Sequence, residues 1–290
     1  MKQLRNTIEK SSGLEVIVKG FCPVNVKEIY QDVGLDTYRF LKGDYCIEII
    51  DGNKTVYITD FCGTYSAKKL PRNSTIVLED NKIIYKRDNL NLSPLHYSEV
   101  PRVKKLDKLF EAIDESVKLR CSDNPTIQMS SGQDSGTIVA SALKQNFQFK
   151  TLSISGREDQ EILQQRLALF DDPIYITQWD NSLQSHEVAA QHCPTKHLVS
   201  GLGSDELYWS GDFQLLERFL HDSYQAYEKF GIQVRYPLLD SKVYVQYFLL
   251  EDGKYISKKR KKPLIAYMES LSFPCKNDLK VPFFLGNSPK

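Results

Sequence analysis

The stretch Gln128-Met129-Ser130-Ser131-Gly132-Gln133-Asp134-Ser135-Gly136 lies between an apolar segment and an amphipathic one. Residues 126–129 are typical of a short buried strand, and residues 135–145 place apolar side chains on one face of a helix. A small-residue turn in this position directs backbone N–H groups and the positive end of a helix at one point, which suits a phosphate. Asp134 adds a carboxylate that can hold Mg²⁺ on that phosphate. The Gly-Lys-Ser/Thr ending of a Walker A loop is missing.

A second segment, residues 199–206, repeats this arrangement. It reads Val-Ser-Gly-Leu-Gly-Ser-Asp-Glu, a short apolar strand followed by a Gly/Ser turn and Asp205. Taken alone, such a turn is equally well an ordinary loop, and an aspartate beside it often caps a helix. Two such turns, each at a strand end and each with one aspartate, suit a triphosphate and its metal ion held from two sides.

The pattern of the whole chain predicts an α/β protein of two parts. Residues 1–88 are predicted to form β structure, with hairpins around Asp51-Gly52 and around residues 79–81. Residues 89–102 have the composition of a linker, and residues 103–290 form the second part. There we expect strands near residues 126–129, 150–154, 174–176 and 197–199, and helices at 103–120, 135–145, 158–169, 182–191 and after 205. This alternation predicts a parallel sheet that binds ligands at the carboxyl ends of its strands, followed by a mainly helical C-terminal part.

Composition limits the classes of function. The 290 residues carry a formal net charge of only +1, which argues against a nucleic-acid-binding surface. The basic run at residues 258–262 is interpreted either as a solvated loop or as a phosphate-facing loop. Six cysteines without a C-x-x-C pair indicate reduced thiols rather than disulfides or a zinc site. We see no signal peptide and no apolar run long enough to cross a bilayer, so we expect a cytoplasmic protein without a membrane partner. A homodimer is compatible with the sequence, which does not set the oligomeric state.

Four motifs together resemble the synthetase domain of the asparagine synthetase family, in the PP-loop ATP pyrophosphatase group. The family's loop Ser-Gly-Gly-x-Asp-Ser corresponds to residues 130–135, and its Ser-Gly-x-Gly-x-Asp-Glu signature to residues 200–206, with Gly211 beyond. Arg-x-Pro-x-Leu-Asp corresponds to residues 235–240, and a weaker lysine motif to residues 261–264. The motifs occur in the family's order over residues 103–285.

The resemblance implies an ATP-dependent, AMP-forming carbon–nitrogen ligase. Such an enzyme adenylates a carboxylate, releases pyrophosphate and transfers the acyl group to ammonia or an amine. It implies ATP and Mg²⁺ as cofactors, with Asp134 and Asp205 as metal ligands and Lys261 stabilising charge on the α-phosphate or on the tetrahedral intermediate. The pyrophosphate would be held by Ser130, Ser131, Gly132 and Ser135. The adenine and ribose contacts of the family correspond to Met129, Ile154, Ser200 and Gly201.

The N-terminal part is similar to the central hairpin of a glutaminase domain, on the basis of residues 43–51 and 60–63. The nucleophile of that domain is an N-terminal cysteine, whereas Lys2 follows Met1 here. We therefore expect a truncated, degenerate glutaminase-like remnant without glutaminase activity. The alternative is that Cys22 becomes a nucleophile after internal processing.

Three departures from the family pattern bear on catalysis. Ser131 replaces a glycine, Leu202 replaces a glutamate and Gln233 replaces a carboxylate of the acid/base pair. Without these carboxylates the obvious general base is missing, and asparagine synthesis itself becomes doubtful. The remaining candidate bases are Tyr208, Tyr236 and Glu206.

Two alternatives to the amide ligase stay open at this point. One is a PP-loop enzyme that acts on tRNA. The other is a nucleotide-binding pseudo-enzyme or partner protein. The identities of the carboxylate and of the nitrogen donor do not follow from the sequence. Asp159, Arg235 and Asp240 have plain structural interpretations as helix caps or ion-pair partners.

Overall fold

Two β-sheets organise the part of the chain that the computed structural model describes, which is residues 6–11, 13–65, 70–89, 105–156, 158–178, 185–210, 213–250 and 261–276. One sheet is antiparallel, and the other is parallel with helices packed around it. The protein is therefore of mixed α/β class. The boundary predicted at residues 89–102 stays a prediction, because residues 90–104 lie outside the described part of the chain, as do Gly211 and residues 258–260 of the basic run.

The first sheet contains six strands, each antiparallel to its neighbours in chain order. They are β1 (Asn6–Ser11), β2 (Leu14–Phe21), β3 (Asp44–Asp51), β4 (Lys54–Thr59), β5 (Ser74–Glu79) and β6 (Lys82–Asp88). Both predicted hairpins are confirmed, since Asp51 pairs with Lys54 and Glu79 pairs with Lys82. Gly52 has φ of +61° at the first turn, a conformation that glycine adopts without steric cost.

A helix in the N-terminal part was missed by the interpretation of residues 1–88 as β structure. It is α1 (Val26–Val33), followed by a 3-10 turn at Gly34–Arg39. The Asn25 side chain caps it by accepting the Glu28 N–H at 3.2 Å. Val26 packs into the apolar face of the first sheet, which includes Ile47 and Ile58. An eight-residue helix between strands carries too few apolar repeats to be recognised from periodicity.

The second sheet is parallel and has the strand order β11-β10-β7-β8-β9. Its strands are β7 (Thr126–Gln128), β8 (Lys150–Ile154), β9 (Ile174–Ile176), β10 (His197–Val199) and β11 (Gln233–Arg235). The four predicted strands are confirmed, whereas β11, in which one apolar residue lies between Gln233 and Arg235, was not predicted. Because β7 and β10 are neighbours, the two Ser/Gly turns that follow them lie side by side at the carboxyl end of the sheet.

Seven helices of the described part surround this sheet. They are α2 (Asp107–Arg120), α3 (Gln133–Lys144), α4 (Gln160–Leu167), α5 (Ser185–His192), α6 (Phe213–Lys229), α7 (Ser241–Leu249) and α8 (Lys262–Ser270). A π-helical turn covers Glu206–Ser210, and a 3-10 turn covers Pro237–Leu239. The predicted helices are present with shifted ends, and the C-terminal part is mainly helical as expected. α3 begins two residues earlier than predicted, which moves Asp134 from the turn into the first turn of the helix.

A buried ion-pair network joins α2 to the first sheet. The Arg120 guanidinium is bidentate to Asp44, with N–O distances of 2.8 and 2.9 Å, and also donates to Asp240 at 3.0 Å. Asp44 further accepts the backbone N–H of Tyr236 at 3.0 Å. Burial by itself lowers the pKa of Arg120, but the two carboxylates outweigh it and raise that pKa. The network therefore ties β3, α2 and the segment after β11 to one another.

Further contacts bring the first sheet against β11. The Gln233 side chain donates to the Gly20 carbonyl at 2.6 Å, and the Tyr65 hydroxyl donates to the Val234 carbonyl. The Arg235 guanidinium lies 4.1 Å from the centre of the Phe21 ring. Cys46, Phe61, Cys62 and Tyr65 thus share the hydrophobic core of the parallel sheet. All six cysteines are free thiols, as expected, and no helix of the described residues has both the length and the apolar character needed to cross a membrane.

Substitution of Arg120 by glutamine should destabilise the protein strongly. The change leaves the Asp44 and Asp240 carboxylates without their cation in the interior, which typically costs about 3–5 kcal/mol. Chemical denaturation measures this loss of unfolding free energy. Lys108→Gln is the matched control on the same helix, since its pair with Glu111 is exposed and screened by solvent, and it should leave the unfolding free energy nearly unchanged. Equal losses in the two variants would contradict a central role for the Arg120 network.

Candidate active site

The two Ser/Gly turns are in close contact at Gly201. A Cβ atom at Gly201 would lie 2.9 Å from the Asp134 Cβ and 3.1 Å from the Ser135 nitrogen. Glycine is therefore required at position 201 for this approach. The Ser200 hydroxyl donates to the Gln128 side chain at 3.0 Å, which links the ends of β7 and β10.

Lys261 joins the two turns through its ammonium group. Its Nζ lies 2.5 Å from Asp134 Oδ1, 2.6 Å from Asp205 Oδ1 and 3.1 Å from the Ser204 hydroxyl. Burial lowers the pKa of Lys261, but the carboxylates of Asp134 and Asp205 outweigh burial and raise it. The three residues that the sequence assigned to catalysis and metal binding are thus in direct contact.

Asp134 owes its position to the start of α3. The helix is capped by Gly132, not by Asp134, so the interpretation of Asp134 as a simple cap is wrong. Asp134 is buried in the first turn, where the helix dipole favours a negative charge. The same dipole and the first N–H groups of the helix also favour a bound anion beside it.

The loop before α3 is held together by its own hydroxyl groups. The Ser130 N–H donates to the Ser135 hydroxyl at 3.0 Å, and the two hydroxyls lie 2.7 Å apart. The Gly132 N–H donates to the Ser130 hydroxyl at 3.1 Å. Ser130, Gly132 and Ser135 therefore form one compact turn.

Arg166 of α4 supports this loop from beneath, and sequence reasoning missed it. The buried guanidinium donates to the carbonyls of Ser130 and Gly132, in the latter case at 2.8 Å. Burial lowers the pKa of Arg166 to about 10. A Cβ at Gly136 would lie only 2.4 Å from the guanidinium, so glycine makes room for it. This glycine inside a predicted helix was the one signal in the sequence that another group approaches closely.

Glu158 is a second contact that the sequence did not indicate. Its carboxylate accepts the Ser131 N–H at 2.6 Å and also the Ser131 hydroxyl. The neighbouring Asp159 caps α4 by accepting the Ile162 N–H at 3.2 Å, and it pairs with Lys276 at 3.0 Å. Asp159 therefore has the structural interpretation that the sequence left open.

The remaining predicted site residues surround these loops. Met129 and Ile154 lie at the carboxyl ends of β7 and β8, but both side chains are buried in the core. The Met129 N–H is used in the sheet, bonded to the Leu152 carbonyl at 2.9 Å. Arg235 pairs with Asp123, both N–O distances being 2.8 Å, and Asp240 caps α7 through the Lys242 N–H at 2.9 Å. Arg235 and Asp240 thus have structural roles.

The candidate general bases differ sharply in their surroundings. The Tyr208 hydroxyl donates to the Leu238 carbonyl, and the Tyr236 hydroxyl lies 3.0 Å from Ser223 Oγ. Burial raises the pKa of both phenols well above the usual value, so neither is a base near neutral pH. Glu206 is half-buried, and burial together with the negative charge of Asp205 raises its pKa. Glu206 is the candidate that lies next to the Lys261 cluster.

This site offers two carboxylates, those of Asp134 and Asp205, to a metal ion. Within the described ranges, no group of three or more His, Cys, Asp or Glu side chains is arranged to hold a metal ion. Mg²⁺ usually takes one or two carboxylates and completes its octahedron with water and phosphate oxygens. Asp134 and Asp205 therefore fit a Mg²⁺ ion that arrives with a phosphate ligand.

A cavity in the described part of the chain lies away from this site. It has a volume of about 1020 Å³ and lies between the first sheet, α2 and the start of α7, with Tyr45, Asp60, Ser116 and Asp240 in its lining. The predicted phosphate and metal ligands do not line it. Burial and the nearby negative charge of Asp44 raise the pKa of Asp60 to about 7. The Asp60 carboxylate accepts hydrogen bonds from the backbone N–H groups of Thr64 and Tyr45, which oppose this rise.

Comparisons with known proteins leave the family assignment as a resemblance. No family model matches the chain. None of the curated proteins matches it either. A solved structure of a glutamine phosphoribosylpyrophosphate (PRPP) amidotransferase from B. subtilis, complexed with ADP and GMP, is weakly similar, at 9% sequence identity and a TM-score of 0.22. The match covers 76% of this chain and 62% of the amidotransferase. A similarity this weak adds nothing to the functional argument.

Replacing Lys261 by methionine should leave the two facing carboxylates without a cation. We expect a loss of about 3 kcal/mol in unfolding free energy. Mg²⁺ should restore part of this loss in the variant and have little effect on the wild type, because the metal takes the place of the ammonium group. Thermal and urea unfolding with and without Mg²⁺ measure both effects.

The control for this substitution is Lys229→Met, which removes a largely exposed lysine that lies 3.7 Å from Glu187. It should cost less than about 1 kcal/mol and show no Mg²⁺ dependence. If Mg²⁺ failed to stabilise Lys261→Met, the carboxylate pair would not be a competent metal site.

Asp60 should make stability depend on pH. Its folded-state pKa of about 7 lies above the unfolded value of 3.8, so its contribution is complete below pH 3.8 and is lost as the pH rises through about 7. Asp60→Asn cannot ionise. The unfolding free energy of the wild type minus that of the variant should therefore decrease as the pH rises from 3.8 to about 7, as measured by urea unfolding. A difference independent of pH would contradict the raised pKa.

Proposed function

We propose that the protein is an ATP-dependent, AMP-forming amide ligase. It adenylates a substrate carboxylate with release of pyrophosphate, and then transfers the acyl group to ammonia or an amine. The observation that carries this proposal is the contact of Lys261 with Asp134 and Asp205 at the carboxyl ends of adjacent parallel strands. Under this proposal the second sheet is a PP-loop domain and the first sheet is a degenerate glutaminase remnant.

The motifs and the geometry together assign roles to the loops. The turn formed by Ser130, Ser131, Gly132 and Ser135 would hold the pyrophosphate. Asp134 and Asp205 would hold the Mg²⁺ ion that neutralises it. Ser200 and Gly201, with Met129 and Ile154 behind them, would border the nucleoside.

In the first step an oxygen of the substrate carboxylate attacks the α-phosphorus, and the bond to the bridging oxygen of the pyrophosphate breaks. Positioning and charge neutralisation are the protein's contribution to such a step. Asp134 and Asp205 would hold Mg²⁺, which would neutralise phosphate charge, and the ammonium group of Lys261, in contact with both, would add positive charge for the α-phosphate. In the second step the amine nitrogen attacks the acyl carbon, AMP leaves and one proton passes to a base.

Glu206 is the base that the site offers for this proton. The two family positions that carry carboxylates are Leu202 and Gln233 here, and the Gln233 amide is bound to the Gly20 carbonyl and to Arg235. A raised pKa makes the Glu206 carboxylate a stronger proton acceptor than an ordinary glutamate.

The first sheet offers little to a glutaminase reaction. Burial raises the pKa of the Cys46 thiol to about 12 and that of Cys22 to about 11, so few of these thiols are ionised at neutral pH. Both thiols are therefore protonated at neutral pH in the uncleaved chain. We infer that nitrogen enters as free ammonia or as an amine.

A second candidate is nucleotide binding without catalysis. It is favoured by Leu202, which packs against the hydrophobic core, and by Gln233, whose amide serves the contact between the sheets. Neither side chain can transfer a proton. This candidate keeps the phosphate loop and the metal ligands but predicts no turnover.

Pyrophosphate release from Mg-ATP tests the proposal. The purified protein is incubated with a panel of amino acids and small carboxylic acids, with ammonia or glutamine as nitrogen donor. We expect release that depends on Mg²⁺ and on one acid, with no gain from glutamine over ammonia. Asp134→Asn and Asp205→Asn should slow it by about 100-fold or more.

Asp107→Asn is the matched control, because Asp107 is an exposed acid in the first turn of α2. It should leave pyrophosphate release unchanged. Full turnover in the Asp134 variant would disprove the assignment of the phosphate site. ATP binding without release for any acid would favour the second candidate.

A further inference from the structure

The loop assigned above to the pyrophosphate binds a carboxylate of the protein itself. The Glu158 carboxylate accepts both the N–H and the hydroxyl of Ser131, one of the residues assigned above to the pyrophosphate. We propose that Glu158 is an internal stand-in for phosphate that closes this subsite, and that pyrophosphate or the triphosphate of ATP has to displace it. This inference rests on the proposed function.

The direction of the Ser131 N–H follows from Arg166. In a trans peptide the C=O and the N–H point in opposite directions. Arg166 binds the Ser130 carbonyl, so the N–H of the same peptide unit, that of Ser131, points away from the guanidinium. It also binds the Gly132 carbonyl, which turns the Gln133 N–H away in the same manner. The loop thus presents N–H groups to its outer face, where the Glu158 carboxylate lies.

The charges around the loop explain why an anion is favoured there. Arg166 is fully buried, and its guanidinium donates to two loop carbonyls, to the Pro274 carbonyl and to the Met268 sulfur, and lies 5.1 Å from the centre of the Phe273 ring. None of these groups carries a negative charge, so an anion near the guanidinium is favoured. Burial lowers the pKa of Arg166, and the negative charge of Glu158 opposes that shift. The negative charge of Glu158 therefore complements the positive end of the α3 helix dipole.

A phosphate and the Glu158 carboxylate cannot occupy the same N–H group. Two anions within hydrogen-bonding distance of Ser131 would repel each other and compete for one donor. The carboxylate can leave, because Glu158 is half-buried and precedes the first residue of α4 by two positions. Asp159 caps α4 through the Ile162 N–H and pairs with Lys276, and its own N–H donates to the Ser131 hydroxyl at 3.0 Å. These contacts hold the start of α4 when the Glu158 side chain moves.

The alternative is that Glu158 holds the loop in the conformation that binds phosphate. The two interpretations predict opposite changes in phosphate affinity when Glu158 is replaced. Removal of a competing anion strengthens phosphate binding, whereas removal of a residue that holds the loop in place weakens it.

The test is calorimetric binding of Mg-pyrophosphate, Mg-ATP and adenosine to wild type, Glu158→Gln and Glu158→Ala. Glutamine keeps the size of the side chain and removes the charge, and alanine also removes the acceptor. We expect both variants to bind pyrophosphate and ATP about fivefold more tightly than wild type, since charge-assisted hydrogen bonds are roughly twice as strong as neutral ones. Adenosine, which has no phosphate, should bind equally well to all three proteins.

Glu161→Gln is the matched control. It removes the same charge from the same helix end, at a residue that contacts Lys276 at 2.8 Å instead of the loop. Its affinities should equal those of wild type within about twofold, the scatter expected for a screened surface charge. An equal gain in this variant would reduce the effect to net charge and overturn the role of Glu158.

The outcomes separate this inference from the proposed function. Unchanged or weaker phosphate binding in both Glu158 variants, with binding in wild type, would overturn the internal stand-in and leave the nucleotide site intact. Binding by the variants alone would support the inference in its strongest form. Failure of every protein to bind pyrophosphate and ATP would overturn the proposed function, and the role of Glu158 with it.

Discussion

The bidentate pair between Arg120 and Asp44 is the interaction on which the arrangement of the two sheets depends. It is fully buried, so both charges lose hydration and are stable only together. Asp44 also fixes the N–H of Tyr236, directly after β11. Because β11 pairs with β10, and β10 carries the second Ser/Gly turn, a contact far from the candidate site holds one of its loops. Arg120 thus links the fold of the N-terminal part to the geometry of the two Ser/Gly turns.

The candidate site follows the same rule of compensated charge, but with partners that a ligand can replace. Lys261 neutralises Asp134 and Asp205 where a metal ion would do so, and Glu158 occupies the anion position of the loop. In this state the site is a closed set of charges. Binding of a metal–phosphate complex would exchange both internal partners at once, cation for cation and anion for anion.

The departures at Leu202 and Gln233 acquire a physical meaning in this setting. Gln233 lies in β11, where its amide bridges Gly20 and Arg235, and an ionised carboxylate could not donate to the Gly20 carbonyl. The position therefore serves the contact between the sheets. Under the proposed function, a group nearer the Lys261 cluster accepts the proton. Glu206 lies there, and its pKa is raised by burial.

The sequence by itself determined the local features of this protein. Apolar periodicity and turn residues sufficed for the two hairpins, four parallel strands and most helices, and the spacing of Ser, Gly and Asp residues located both loops. The tertiary structure alone decided β11, a mostly polar Gln-Val-Arg segment, and the approach of Arg166 and Glu158 to the loop. These contacts join residues distant along the chain. They depend on burial and on charge compensation, which the packed fold creates and which no spacing of residues encodes.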